Sequence, residues 1–234
     1  MRNIAVILAG GIGSRLDKNH PKQFFKVAGK TVIEHTVTVF EEAKNIDEIV
    51  IVANAAHLSE VETLVLKNDW KKIKKILVGG AHRYESSLSA IRAFEEEDNV
   101  NFILHDAVRP LVSHRIINDV LTALSNYNAV GVAIPAVDTI VEVENGVIVN
   151  IPDRSRLYHA QTPQGFKLHT IRNAYAHALQ DPTFKATDDC GVVRKYLPDE
   201  PIFVVTGEEA NMKLTYKEDA FLLNKYSNNT NLVV

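Results

Sequence analysis

Apolar positions along the chain follow two alternating rhythms. Short unbroken runs at 4–9, 48–53, 76–78, 102–104, 130–135 and 202–206 read as strands covered on both faces. Between them, apolar residues recur at helical spacing. Val32, Ile33, Thr36, Val37 and Phe40 predict a helix over 30–43, and 59–68 predicts a second with Ser59 as N-cap and Glu60 and Glu62 in its first turn. The lysine-rich 71–75 reads as the solvated end of that helix. Further helices are predicted over 86–97, 113–125, 168–179 and 188–197, and a last one from about Tyr216, before a polar tail at 227–230. One segment breaks the rhythm. Residues 138–149 alternate around Asn145-Gly146, the sign of a hairpin with a type I′ turn.

Strands alternating with helices predict an α/β doubly wound, mostly parallel (mixed) sheet. The chain reads as a single domain over 1–234, with a β-arm at about 138–162 projecting from it. An arm with an apolar face needs covering, and a second subunit is one candidate. In doubly wound sheets ligands sit outside the carboxyl ends of the strands, near a switch in strand order. Three strand ends carry loop-forming or polar residues: Gly10-Gly11, Gly79-Gly80 and His105-Asp106-Ala107-Val108-Arg109-Pro110. Together they predict one shared cleft.

Composition narrows the partners. A net charge of −3 gives no general affinity for nucleic acid or anionic membrane. Cys190 is the only cysteine, which excludes an intramolecular disulfide and fits a reducing, cytoplasmic compartment. No apolar run reaches the 18 residues of a membrane span, and the first run breaks at Gly10-Gly11 without a signal-peptide cleavage region.

The candidate chemistry begins at the first strand end. Three glycines within four residues (Gly10, Gly11, Gly13) followed by Arg15 suit an anion, because bare backbone N–H groups and a cation meet there; an ordinary strand-to-helix turn also uses glycine. The segment lacks the Gly-Lys ending of a P-loop, and Leu16 stands where a dinucleotide fingerprint needs its third glycine. No His/Cys spacing suits structural zinc, and no G-x-S-x-G elbow is present. What remains is Arg15, Lys22, Arg83, Arg109, Arg154 and Lys213, with Asp106 as an acid at a strand end. Such a set suits transfer at phosphorus, where positioning and charge neutralisation dominate. One carboxylate plus nucleotide phosphates is also a normal way to hold Mg²⁺.

Leu8-Ala9-Gly10-Gly11-Ile12-Gly13-Ser14-Arg15 followed by Pro21-Lys22-Gln23 resembles the signature of sugar- and polyol-phosphate nucleotidylyltransferases. Gly79-Gly80 with Arg83 and Ser86, the 105–110 segment, Asp138-Thr139, Thr162-Pro163-Gln164, Thr187-Asp188 and Asn211-Met212-Lys213 extend the resemblance to the cytidylyltransferases acting on methylerythritol phosphate and ribitol 5-phosphate. The resemblance implies a nucleotide-diphospho-sugar transferase-like Rossmann-type fold and CMP transfer from CTP to a polyol phosphate. It implies that Leu8, Ala9, Gly10, Gly11, Gly13, Gly80, Ala81, Arg83 and Ser86 surround the nucleotide. Arg15, Lys22 and Lys213 would gather at the α-phosphate, and Asp106 would lie beside Mg²⁺ and the polyol phosphate. Asp106, Arg109, Thr139, Arg154, Thr162 and Thr187 match positions that hold the second substrate. Thr139 and Arg154 would ride on an arm that reaches a neighbouring subunit of a homodimer. Gln161 and Cys190 resemble the ribitol branch, and His159-Ala160 the methylerythritol branch. The Gln161 amide suits an extra hydroxyl of a linear pentitol, so ribitol 5-phosphate is the expected acceptor and methylerythritol phosphate the alternative. A CTP-binding regulatory protein without turnover is the reading from outside enzymology. His105 is expected to be a packed residue, Asp188 a helix cap and Cys190 a small hydrophobe.

Overall fold

The computed structural model describes residues 1–11, 21–216 and 219. The strands are β1 (Arg2–Ala9), β2 (Lys26–Val27), β3 (Lys30–Thr31), β4 (Glu48–Ala53), β5 (Ile73–Val78), β6 (Val100–Asp106), β7 (Ala129–Pro135), β8 (Glu142–Glu144), β9 (Val147–Asn150), β10 (Tyr158–Lys167) and β11 (Ile202–Thr206). The helices are α1 (Val32–Glu42), α2 (Leu58–Asn68), α3 (Arg83–Arg92), α4 (His114–Ala123), α5 (Leu168–Ala178) and α6 (Asp189–Tyr196).

Seven strands form one sheet in the order β11-β7-β10-β6-β1-β4-β5. Every described pairing in it is parallel except those of β10, which runs antiparallel to both β6 and β7. Strand β1 pairs with β4 on one side and β6 on the other, so the order of crossovers reverses at β1. That switch brings Leu8 opposite Asp106 at the carboxyl ends of β1 and β6.

Both faces of the sheet are buried, as the unbroken apolar runs require. Ala5, Ile7, Ile49, Ile51 and Ile103 pack on one face with Ile33, Val37 and Phe40 of α1, Val61 and Leu64 of α2, and Ile116, Ile117 and Val120 of α4. The alternate residues Ile4, Val6, Val50, Val52, Phe102 and Leu104 meet Leu88 and Ile91 of α3, Ile171 and Tyr175 of α5, and Val192 and Val193 of α6. Helix α1 starts where Thr31 accepts the Glu34 N–H while the Glu34 carboxylate takes the Thr31 N–H, a capping box.

Four expectations are corrected. Ser59 is not the cap of α2: Asn54 caps a 3-10 turn at Ala55–His57 that runs directly into the helix, so it begins at Leu58. The 71–75 lysines are not a helix end, because α2 stops where Asp69 turns left-handed at φ 53°. The Lys71 and Lys72 N–H groups then bond Glu41, and Lys74 and Lys75 lie on the edge strand β5, where charge discourages edge-to-edge pairing. Helix α3 begins earlier than 86, at Arg83, and ends at Arg92. The largest omission is β10. Its Pro163 and its polar Gln161, Thr162 and Gln164 hide a strand whose 161–166 stretch is nonetheless buried. Because Tyr158–Gln161 pairs with β7, the arm stops short of 158 instead of reaching 162.

The arm itself is the separate β8-β9 ribbon. Asn145 and Gly146 both have positive φ (50° and 82°), as a type I′ turn requires. Val143, Val147, Ile148, Val149 and Ile151 are exposed along it. The expected helix from Tyr216 and the polar tail lie outside the described residues.

Candidate active site

Two adjoining cavities open at the carboxyl ends of β1, β5 and β6 and beside the amino-terminal half of the antiparallel β10, and they share Arg83, Asp106 and Lys213. The first is built around two glycine turns. Leu8 and Ala9 end β1 and Gly10 and Gly11 follow it, while Gly80 and Ala81 follow β5 and Arg83 and Ser86 lie at the start of α3. Lys22 lines the same cavity. Gln23 is buried beneath the loop and donates its side-chain amide to the Ala9 carbonyl (2.8 Å) and the Gly11 carbonyl (3.0 Å). That clamp ties two loop carbonyls to one buried amide and fixes the course of the loop. Gly13 and Arg15 lie outside the described residues.

The second cavity is lined by Arg109, Gln161, Thr162, Gln164, Thr187 and Asp188 with the shared residues, and by Ala160. Asp106, buried at the boundary, is the hub. Its Oδ1 takes Arg83 Nε at 3.2 Å, and its Oδ2 takes Lys213 Nζ at 2.9 Å and faces Arg109 Nε at 3.6 Å. Burial opposes its charge, but Arg83 first, then Lys213 and Arg109, more than offset that and hold the carboxyl far below the usual range. Asp106 is therefore an anion throughout the physiological range, unfit to donate a proton and fit to organise cations.

A buried relay fixes this hub. His105 Nε2 meets the Arg109 carbonyl at 3.1 Å, and its Nδ1 meets Thr162 Oγ1 at 3.0 Å. Thr162 Oγ1 in turn accepts the Asp106 N–H at 3.1 Å. Desolvation pulls the His105 imidazole down to about 4, so it is neutral, donating from Nε2 and accepting at Nδ1. His105 is thus packed and hydrogen-bonded, as its sequence context suggested. Arg109 is held by the Asn211 carbonyl at 2.7 Å, and Asn211 Nδ2 donates to the Thr162 carbonyl (2.8 Å) and to Gln161 Oε1 (3.1 Å). Gln161 is less free than its sequence suggested. Its oxygen also takes the Glu208 N–H and its nitrogen donates to the Glu208 carbonyl at 2.8 Å, leaving one amide hydrogen for a ligand.

Thr139 and Arg154 line neither cavity; both are exposed, and Arg154 Nη1 donates to the Val137 carbonyl at 2.8 Å. Asp188 is the N-cap of α6, accepting the Gly191 N–H at 2.8 Å. Cys190 is half-buried against the α5–α6 core, and burial raises its thiol well above the ordinary value. Sequence reasoning passed over Asp189, Tyr175, Gln23 and the bracing role of Asn211. One signal was available: Asp189 shares a helical face with Val192, Val193 and Tyr196, so an acid had to point into the core. Among the described residues no group of three His, Cys, Asp or Glu side chains is placed to hold a metal, so Asp106 is the carboxylate to test.

A glycine turn beside an anion-centred cluster of cations, at the switch point of a mixed α/β sheet, is the setting of a nucleotide-handling enzyme, and the chain's relatives make the class a nucleotidyltransferase. The IspD family, 2-C-methyl-D-erythritol 4-phosphate cytidylyltransferase, matches residues 3–227, and the chain belongs to it. A 2-C-methyl-D-erythritol 4-phosphate cytidylyltransferase of Thermobifida fusca is 49% identical over 93% of this chain and 90% of its own. A bifunctional ribulose 5-phosphate reductase/CDP-ribitol pyrophosphorylase of Haemophilus influenzae is 48% identical over 96% of this chain and 48% of its own length. A ribitol-5-phosphate cytidylyltransferase of Vibrio parahaemolyticus is 36% identical over 94% of this chain and 93% of its own. The solved 4-diphosphocytidyl-2C-methyl-D-erythritol synthase of Anaerococcus prevotii superposes with a TM-score of 0.85 at 29% identity, covering 97% of this chain and 96% of that one. The chain is a cytidylyltransferase for polyol phosphates, with relatives on both the methylerythritol and the ribitol side.

Proposed function

We propose that the protein transfers CMP from CTP to D-ribitol 5-phosphate, giving CDP-ribitol and pyrophosphate. The observation that carries the acceptor is the lining of the second cavity. Every side chain there other than Ala160 is polar or charged, which suits the additional hydroxyl-bearing carbon of a linear pentitol better than an apolar methyl branch. The nucleotide takes the first cavity, where glycines admit the ring and backbone groups read its edge. Arg15, Lys22 and Lys213 gather at the α-phosphate. A phosphate monoester oxygen of the acceptor attacks the α-phosphorus in line; the new P–O bond forms as the bond to the β-phosphate oxygen breaks, and pyrophosphate leaves with that electron pair. The attacking oxygen is already anionic, so no general base is needed. The cations meet the charge that builds on the α-phosphate oxygens.

Mg²⁺ is the proposed cofactor. Asp106 fits as a single protein ligand, because Lys213, which shares its Oδ2, is partly exposed and can yield that position while phosphate oxygens and water complete the shell. The ion would neutralise phosphate charge. The exposed apolar arm supports a homodimer, in which Thr139 and Arg154 would serve the partner's acceptor site. The single cysteine supports a cytoplasmic setting.

Methylerythritol 4-phosphate is the second reading, favoured by Ala160, the one apolar residue lining the cavity, and by the names of several relatives. Pyrophosphate release from CTP, measured with each acceptor at matched concentration, separates the two. Faster turnover of ribitol 5-phosphate is expected. Faster turnover of methylerythritol 4-phosphate overturns the acceptor, and CTP binding without turnover of either would make the protein regulatory.

A further inference from the structure

Asp189 is fully buried and lines neither cavity, yet it pairs with a residue that lines both. Its Oδ2 takes Arg83 Nη1, its Oδ1 takes the buried Tyr175 hydroxyl at 2.7 Å, and its own N–H is held by Gln164 Oε1 at 3.1 Å. Arg83 is the guanidinium that lines both cavities, and its Nε is committed to Asp106. Its remaining nitrogen, Nη2, is buried with no hydrogen-bond partner. A buried ion pair is a poor source of stability, since desolvating both charges cancels most of their attraction. It is a good way to fix a fork, because two carboxylates at two of its nitrogens leave the guanidinium plane no freedom.

We propose that Asp189 is a positioning residue for CMP transfer: braced by Tyr175, it locks Arg83 so that the guanidinium orients Asp106 and holds a fixed positive charge where the two cavities meet. Asp189 never touches substrate and acts only through Arg83. The inference also ties the two half-sites together, because Asp189 opens α6 directly after Thr187 and Asp188, while Arg83 opens α3 directly after the Gly80 loop. It rests on the two cavities being the substrate sites.

The test is a double-mutant cycle read as kcat and KM for both substrates. Asp189→Asn should lower kcat/KM about 10²-fold, the usual result of displacing a group by about an ångström. Arg83→Ala should cost at least as much, and adding Asp189→Asn to Arg83→Ala should cost nothing further. Tyr175→Phe, which leaves no buried charge stranded, should show a smaller loss of the same kind, again absent in the Arg83→Ala background, and it carries the test if Asp189→Asn does not fold. Equal losses in both backgrounds would make Asp189 merely structural and overturn the inference, as would wild-type kinetics for Asp189→Asn or Tyr175→Phe. Lys22→Ala and Lys213→Ala run in parallel: if they lose turnover while the Arg83 and Asp189 variants do not, the inference alone fails. If none of the four loses turnover, the site assignment fails with it.

Discussion

The two halves of the cleft recognise their ligands by opposite means. The nucleotide half is organised around two glycine turns at the ends of β1 and β5, the first of them clamped by Gln23. The acceptor half is side chains: two carboxylates, two guanidiniums, an ammonium, two hydroxyls and two amides, most of them held by a partner. A backbone site is selective by shape and is damaged by added atoms. A side-chain site is selective by hydrogen bonding and is damaged by removed ones. Substitutions should therefore separate the halves by which kinetic constant they move.

Lys213 touches both cavities, so its loss should blur the distinction and produce the largest effect. Lys213→Ala removes a cation from the reacting phosphate and should lower kcat about 10²- to 10³-fold. Its partner Asp106 keeps Arg83 and Arg109, so the melting temperature should stay within a few degrees of wild type. Pyrophosphate release and a thermal melt check both; a kcat within twofold of wild type would remove Lys213 from the chemistry.

The acceptor half should also betray itself in acid. His105 is buried neutral, its imidazole drawn from the ordinary 6.5 down to about 4 by desolvation. As pH falls through 6.5 the unfolded chain takes up a proton that the folded one refuses. The stability this group contributes is therefore intact above pH 6.5 and lost progressively down to about 4, some ~3 kcal/mol in all. Glu34 opens a second window lower down. Burial opposes its charge, but Lys67, Thr31 and Asn68 outweigh that and hold it at about 2 against an ordinary 4.5, so its contribution is lost only as pH falls from 4.5 towards 2. Among the described residues, the slope between pH 6.5 and 4.5 belongs to His105. Urea unfolding of His105→Gln should be flatter there than wild type, and an unchanged slope would refute the neutral-imidazole relay.

The nucleotide half should fail by crowding. A Cβ at Gly80 would overlap Glu85 Cβ, and Glu85 holds the His82 N–H at the start of α3. Gly80→Ala should therefore shift that turn, at a cost of about 1–3 kcal/mol. In kinetics it should raise KM for CTP roughly tenfold while KM for the acceptor moves far less, since 1.4 kcal/mol is one decade of affinity. Equal changes in both constants would mean that the two halves are not separable.

The same contrast explains what could be read in advance. A backbone site writes itself into sequence as glycine after an apolar run, so the loops at Gly10-Gly11 and Gly79-Gly80 were legible, as was the sheet that delivers them. The single shared cleft followed from three polar strand ends, and the structure places Asp106, Arg83 and Lys213 at the junction of its cavities. The acceptor half was harder because it depends on β10. That strand is antiparallel, interrupted by Pro163, and polar where it is most buried, so it has neither the alternation nor the apolar run that marks a strand. With β10 unseen, Gln161 reads as an open amide, whereas it is mostly spent on Glu208 and Asn211. Asp189 illustrates the other limit. Its burial was implicit in helical spacing, but its partner Arg83 lies 106 residues away, and local pattern carries no such pairing.

The smallest expected effect isolates the acceptor half from outside the chain's own cavities. On the arm, Val143 and Val147 are more than half exposed, so replacing both with lysine removes no core packing and should leave unfolding within about 0.5 kcal/mol of wild type. If a second copy covers the arm, two lysines there meet an apolar surface, and light scattering at micromolar concentration should shift from dimer to monomer. Thr139 and Arg154, which reach neither cavity of their own chain, would then be withdrawn from the partner's acceptor site. KM for the polyol phosphate should rise roughly two- to fivefold, the worth of an exposed charged contact, while KM for CTP holds. A wild-type chain that is already monomeric would remove the arm from the site, and a monomeric variant with unchanged acceptor KM would reduce the arm to an assembly device. A rise in the CTP constant instead would move Thr139 and Arg154 from the side-chain half of the cleft to the backbone half, where nothing in the geometry asks for them.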